Sequence, residues 1–347
     1  EERCEAADRL TKAFCNKPIP EQLHGGPAEK EPPSLAVVMS DGGRYQRFDR
    51  DRQSPRPESH WKESRIAVLL TMQSTAHPSD PTPDLPEFLH DVSIAKTLAG
   101  LGEIAGENPG PEPSTSPVEP PWERPEMVGK DVIASGQSWK EFGPSVASAA
   151  WYAGFFKADR RVFVSDGSSA IEAMQGEWFS TFTSVLDLMH ALSYSLAAAR
   201  ALHRDHEQAW KCYHQFATWI WKGQVGMVID ALKAHEQSLG PPPENPAESD
   251  PRAVIRRSRI YYENHRSRMD YPDYRKRGYP LTSAIMESTV KQVNQRVKGS
   301  DKFWSTGGGE AILRLRGDYL SDSRPMDNHW KRMRHSADGT RSYSLSA

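Results

Sequence analysis

Two short apolar runs in this chain end the same way. Ser34–Ser40 (SLAVVMS) runs into Asp41-Gly42-Gly43, and Arg161–Ser165 (RVFVS) runs into Asp166-Gly167. Apolar runs this short, bounded by turn-forming residues, read as buried strands. Glycine beside a carboxylate lets a ligand approach the backbone closely. An Asp-Gly pair is also a common hairpin turn, and that reading stands beside the first. The repetition predicts two aspartates side by side on neighbouring strands.

A third acid lies in Leu281–Trp304, LTSAIMESTVKQVNQRVKGSDKFW. Thr282 or Ser283 can start a helix there and Gly299 can end it. Glu287, Lys291, Asn294 and Lys298 then fall at steps of three and four, on one face. A carboxylate, two cations and an amide on one face suit metal and phosphate together. A solvated face with a Glu/Lys pair at i,i+4 has the same spacing.

The chain has 347 residues and a net charge of −2, so no global field draws it to nucleic acid. The charge is uneven, however. From Arg252 to Lys302 there are thirteen Lys/Arg against five Asp/Glu, a footprint suited to a phosphate backbone. Cys4, Cys15 and Cys212 are too few and too odd in number for a disulfide framework, which suits a reducing cytoplasm. Cys4 and Cys15 are half of a zinc site or incidental. No apolar run reaches about 18 residues, so no membrane span is expected, and no signal peptide is visible.

Taken in order, residues 1–33 read as the tail of an upstream region. Trp61–Met72 is a second strand, antiparallel to the first if the two form a hairpin. Residues 73–130 are rich in Pro, Gly, Ser and Glu, and read as a loop with one helical segment near Leu85–Leu101. Gln137–Phe156 reads as a helix and Trp178–Val185 as a short strand. A helix follows Asp187-Leu-Met-His190 as far as Leu202. His206–Leu239 is helical, with Trp210, Tyr213, Phe216, Trp219 and Trp221 as core aromatics. Gly240–Pro251 is a linker, Arg252–Met269 a basic helix and Gly307–Leu320 a short helix. Residues 321–347 form a polar tail.

Asp41, Asp166 and Glu287 would repel one another if they converged without a cation. Hard oxygen ligands suit Mg²⁺ or Mn²⁺. Two such ions about 4 Å apart can activate water or a 3′-hydroxyl and stabilise the leaving oxygen of a phosphodiester. Glu172 and Glu177 are further acids close behind Asp166, read either as substitute ligands or as ordinary helix or loop acids.

The segments SDGGRYQ, VSDGSSAIEAMQGEWF, LDLMHALSYSLAAARAL and YYENHRSRMDYPDYRKRGYPLTSAIMESTVKQVNQRVKGSDKFWS resemble bacterial insertion-sequence transposases of the ISKra type. The resemblance runs from about Leu35 to Tyr319, and the last segment is its most specific part. It implies an α/β fold: a ribonuclease-H-like mixed sheet with flanking helices and an all-α insertion between the second and third catalytic acids. The core would occupy 34–205 and 281–320, and the insertion and linker 206–280. The resemblance makes Asp41, Asp166 and Glu287 the catalytic, metal-holding acids of a DDE transposase. Asp187 and His190 would be a supporting D-x-x-H pair, though His190 also reads as a core histidine at a helix start. Two Mg²⁺ or Mn²⁺ ions, DNA and a homo-oligomer on DNA are the implied cofactors and partners, in the bacterial cytoplasm at the nucleoid. Arg266, Arg268, Lys291, Arg296 and Lys298 are the expected DNA contacts. The chain departs from the family pattern at Leu281-Thr-Ser-Ala, where a smaller Gly-Ser-Gly-like turn is usual, and the upstream DNA-binding region is short or missing. The rival readings are a DNA-binding protein without catalysis, from a truncated or domesticated transposase, and a helical structural protein with scattered acids.

Overall fold

The computed structural model describes residues 2–47, 60–91, 94, 97–98, 124–299, 302–327 and 330–331. Its centre is a six-stranded sheet. The strands are β1 (Leu35–Arg47), β2 (Trp61–Gln73), β3 (Glu126–Ser135), β4 (Arg161–Ser165), β5 (Thr183–Leu186) and β6 (Phe303–Trp304). The order is β3-β2-β1-β4-β5, with β6 added beside the far end of β1. β1, β2 and β3 are antiparallel neighbours, while β4 pairs parallel with β1 and β5 parallel with β4.

The helices are α1 (Glu2–Cys15), α2 (Ile19–His24), α3 (Trp139–Tyr152), α4 (Ser169–Trp178), α5 (Leu188–Leu202), α6 (His206–Trp221), α7 (Val225–Leu239), α8 (Pro251–His265), α9 (Tyr271–Lys276), α10 (Ala284–Val297) and α11 (Thr306–Leu320). Side chains alternate across a strand, so each strand feeds two cores. Leu35, Val37 and Met39 of β1 join Val162 and Val164 of β4 on one face, under α5 to α10. Ala36, Val38 and Phe163 point to the other face, under α1, α3 and α4. The buried cluster of the first face runs without a break from the sheet into α5–α9, the helices between β5 and the Glu287 helix.

Several sequence expectations change here. β1 does not stop at Ser40: it runs through Asp41-Gly42-Gly43 to Arg47, with Asp41 opposite Ile66, so Asp41-Gly42 is no hairpin turn. β3 lies partly in the stretch read as loop. Its sequence hides it because Met127 and Val128 are exposed, and only its second half, with Val132 and Ala134, is buried. Trp178–Val185 is not one strand: Trp178 ends α4, Phe179 and Phe182 are core aromatics, and β5 begins only at Thr183. The run 206–239 is two helices, broken at Gly223, whose φ of +70° favours glycine.

The described residues before β1 pack onto the rest of the fold. Phe14 of α1 is buried against Trp151 and Trp178, Arg3 pairs with Asp318, and Arg314 donates to Asp8. Within the segment near Leu85–Leu101, Glu87–Leu89 is a 3₁₀ turn, Ile94, Thr97 and Leu98 are helical, and residues 92–93, 95–96 and 99–123 lie outside the described residues. The start of the C-terminal segment is tied down: the Val132 N–H donates to Ser321 Oγ and the Asp322 N–H to the Lys130 carbonyl. Residues 332–347 lie outside the described residues. Among the described residues no helix is long and apolar enough to cross a membrane.

Candidate functional site

The parallel register sets the two aspartates. It runs from Ala36 beside Arg161 to Met39 beside Val164, a constant offset of 125. Asp41 and Asp166 differ by the same 125, just past the last paired residues. Extending the register puts them at one level of neighbouring strands, which lie about 4.8 Å apart. Both share parity with the residues that face α10, so alternation aims them at that helix. The electrostatics agree. Burial and then the Asp166 charge push the Asp41 carboxyl up to about 6, with a smaller push from Glu287; the Gly42 N–H and His190 oppose them. Asp166 follows β4 in a tight turn. Its Oδ1 accepts from the Ser168 N–H at 2.9 Å, its carbonyl accepts from Tyr261 Oη at 3.0 Å, and Gly167 follows with φ +96°.

Glu287 comes to the same end of the sheet because α10 lies along β1. A Cβ at Gly43 would come within 2.6 Å of Ser64 Oγ and 2.9 Å of Asn294 Oδ1, so the glycine admits the helix rather than a ligand. Three residues on, Gln46 Nε2 donates to the Gly299 carbonyl at 2.8 Å, so helix and strand run in the same direction. Glu287 lies seven residues before Asn294, about 10 Å along the helix. That is about three residues of strand, back to the level of Ser40 and Asp41. Burial first, and then the Asp187 charge, raise the Glu287 carboxyl above its usual range, against His190 and Lys291.

Asp187 fixes the start of that helix. It is fully buried and caps α5, accepting from the His190 N–H at 2.9 Å. Its Oδ2 accepts from both the N–H and the Oγ of Ser283 at 2.5 Å. Ser283 stands at the N-cap position of α10, but its hydroxyl is turned to Asp187 instead of the helix. The Leu188 N–H donates to the Leu281 carbonyl at 2.9 Å, a second tie between the same segments. Burial alone would raise the Asp187 carboxyl, yet hydrogen bonds from His190 and Ser283 and the His190 charge hold it below its usual range. His190 Nδ1 stands 3.4 Å from Asp187 Oδ1. Burial pulls its pKa down, but Asp187, Asp166 and Glu287 together raise it to about 9. These carboxylates favour the charged form of the ring.

Lys291, Arg296 and Lys298 are exposed along α10 and at its end. Lys298 is the C-cap, in extended backbone, so the helix stops two residues before Gly299. Arg266 is exposed beside Gly226 at the start of α7. Arg268 does not belong with these. Its side chain is buried and its guanidinium donates to Glu172 and to His265 Nδ1, so it is spent on an internal pair. The same pair removes Glu172 from the list of substitute ligands, and Glu177 is exposed on α4. Ser283 as an Asp187 partner, Gly43 as a helix seat and His265 beside Gly167 carry no sequence signal of these roles, because each depends on a contact across the fold.

Among the described residues no group of three or more His, Cys, Asp or Glu side chains stands at metal-ligand spacing. The donor chemistry fits a hard divalent cation all the same. Asp41 is raised partly by the charges of Asp166 and Glu287, a repulsion that such an ion relieves. Compared with protein-family models and with curated proteins, the chain matches none.

Proposed function

We propose that the chain is a DDE transposase with a ribonuclease-H-like core, cleaving DNA strands and joining them to target DNA. One observation carries the reading. Three antiparallel strands followed by two parallel ones, in the order β3-β2-β1-β4-β5, bring Asp41 and Asp166 to one level beneath the helix that bears Glu287. Order and strand sense both suit a ribonuclease-H-like sheet, and the helices between β5 and α10 suit the insertion such transposases carry.

Asp41, Asp166 and Glu287 would hold two Mg²⁺ or Mn²⁺ ions, which when bound supply the charge that activates an attacking oxygen and steadies the leaving one. The chain's own residues do the rest. Asp187 grips Ser283 and so holds Glu287 at the level of the aspartates. His190 stands beside Asp187, where its charged form would offset carboxylate repulsion. Lys291, Arg296 and Lys298 present cations to phosphates. Water attacks the phosphodiester at the element end, and the freed 3′-hydroxyl attacks the target. The partners are DNA and further copies of this chain, at the nucleoid of a bacterial cytoplasm.

Strand transfer with the purified chain, Mn²⁺ and a pre-cleaved DNA end tests the reading, wild type against Glu287→Gln. The variant keeps the shape of the side chain and removes one metal-binding charge. Activity in wild type and its loss in the variant support the proposal. Equal activity in both removes Glu287 from the chemistry. Inactivity of both with DNA binding intact favours a binding protein without catalysis.

A further inference from the structure

We propose that Tyr261 and His265 of α8 are positioning residues for Asp166, so that a helix of the insertion sets the place of the second acid. The inference rests on the proposed function, since it takes Asp166 as a ligand of the divalent ion.

α8 is seated on α5, the helix that Asp187 caps. Tyr262 is fully buried between them: its hydroxyl donates to the Ala191 carbonyl at 2.6 Å and meets Ser195 Oγ at 2.7 Å. One residue earlier, the Tyr261 ring stacks on Tyr194 of α5, with centroids 3.8 Å apart. From that stack the Tyr261 hydroxyl reaches the turn after β4 and donates to the Asp166 carbonyl at 3.0 Å. His265, one helical turn on, meets the Tyr261 ring edge-on at 4.6 Å. Its own ring packs over Gly167, where a Cβ would come within 2.9 Å of Nε2. Arg268 then donates to Glu172 in the first turn of α4, and Glu172 Oε1 stands 2.9 Å from His265 Nδ1. The segment from Asp166 to Glu172 is therefore gripped at its start, at its glycine and at its end by one stretch, Tyr261 to Arg268.

The grip falls on the backbone of the acid and leaves its carboxylate for an ion. The ladder between β4 and β5 has ended by Asp166: its last bond runs from the Asp187 N–H to the Ser165 carbonyl. The next carbonyl, that of Asp166, takes the Tyr261 hydroxyl instead. Of the carboxylate oxygens, Oδ1 accepts from the Ser168 N–H, and Oδ2 has no hydrogen-bond donor among the described residues. Two other tyrosines make similar bonds, Tyr271 to the Leu186 carbonyl and Tyr274 to the Ser184 carbonyl, both at 3.1 Å. These cap the outer edge of β5, the last strand of the sheet, which is ordinary structural work. Tyr261 differs in its acceptor, which belongs to a candidate ligand. Groups behind metal ligands fix their orientation, and losing one typically costs about 10–100-fold in metal affinity. Asp187 ties the Glu287 helix to the start of α5, and α8 ties Asp166 to the same helix, so the second and third acids take their places from one support.

The experiment is Mn²⁺ binding by the full chain without DNA, read from the free-ion paramagnetic resonance signal, for wild type, Tyr261→Phe and Tyr274→Phe. Each variant keeps its ring and loses one hydroxyl–carbonyl bond, so urea midpoints should fall by similar amounts. Ser184 lies about 10 Å of strand before the level of the acids, so Tyr274→Phe reports what loss of such a bond does away from the site. Tyr261→Phe should weaken Mn²⁺ binding about tenfold or more, and Tyr274→Phe should stay within about twofold of wild type. Hydrogen exchange at the Ser168 amide, which donates to Asp166, should quicken in Tyr261→Phe alone. Mn²⁺ affinity in Tyr261→Phe within about twofold of wild type, or equal losses in the two variants, overturns the positioning role and leaves the proposed function in place. A wild-type chain that takes up no Mn²⁺ overturns both.

Discussion

Replacing Asp187 with Asn should destabilise the protein far more than so small a change suggests. Each carboxylate oxygen already has a backbone donor: Oδ1 takes the His190 N–H and Oδ2 takes the Ser283 N–H. An amide has one oxygen and one NH₂. Whichever way it turns, a backbone N–H faces another donor in a fully buried place. Leaving a buried donor unpaired costs about 1–3 kcal/mol. The charge that answers His190 is lost as well, and breaking a buried pair costs about 3–5 kcal/mol. These losses overlap, so the expected total is about 3–4 kcal/mol. Ser283→Ala removes only the hydroxyl contact and should cost about 1 kcal/mol. Urea denaturation of both variants and of the double variant gives the coupling between them, expected at about 1 kcal/mol. Hydrogen exchange at the first turns of α10 should quicken in Asp187→Asn before the rest of the protein responds. A cost below about 1 kcal/mol for Asp187→Asn, or strict additivity with Ser283→Ala, would refute the claim that this carboxylate anchors the Glu287 helix.

Other tests probe the surroundings of the site. Gly43→Ala puts a Cβ 2.9 Å from Asn294 Oδ1 and 2.6 Å from Ser64 Oγ, so α10 must lift or its side chains shift; a loss of about 1–3 kcal/mol in urea unfolding is expected, part of it recovered by adding Asn294→Ala. Burial first and Arg268 second push the His265 ring from 6.5 down to about 4, against Glu172, whose Oε1 stands 2.9 Å from Nδ1. The unfolded chain therefore takes up a proton near pH 6.5 that the folded chain refuses. Stability from this group is complete above about 6.5 and falls by up to about 1.4 kcal/mol per pH unit as the pH drops toward 4. Urea midpoints across that window should flatten in His265→Gln. Mn²⁺ should raise the unfolding free energy of wild type by about 2.7 kcal/mol at a hundredfold excess over Kd, and by clearly less in Asp41→Asn; equal shifts would take the ion away from Asp41.

Much of the frame was legible along the chain. The strands at Leu35, Trp61 and Arg161 stood out because each is buried over most of its length, and the helix after Asp187 because its cap and apolar face are local. β3 does not show in the sequence because its burial comes from a neighbouring strand and from α11 rather than from its own pattern. The helix at residues 2–15 has a charged surface that outweighs the one buried ring, Phe14, that docks it, so its docking does not show in the sequence. Among the site residues, Arg268 looked like a surface cation by composition, and only the fold turns it inward onto Glu172.

By itself, the sequence determined which residues have the chemistry of a site: three acids, two of them beside strand-forming runs and one on a helix face with cations. It also held a quantity whose meaning was not visible, the 125-residue step from Asp41 to Asp166. Only the tertiary structure decided that this step equals the register offset of two parallel strands, so that the acids come level. It likewise decided that Gly43 seats the helix and that Asp187 anchors it. The reason is physical. Helix caps, strand runs and turn residues answer to neighbours a few positions away, whereas register, burial and charge pairing answer to groups that meet only after the chain has folded.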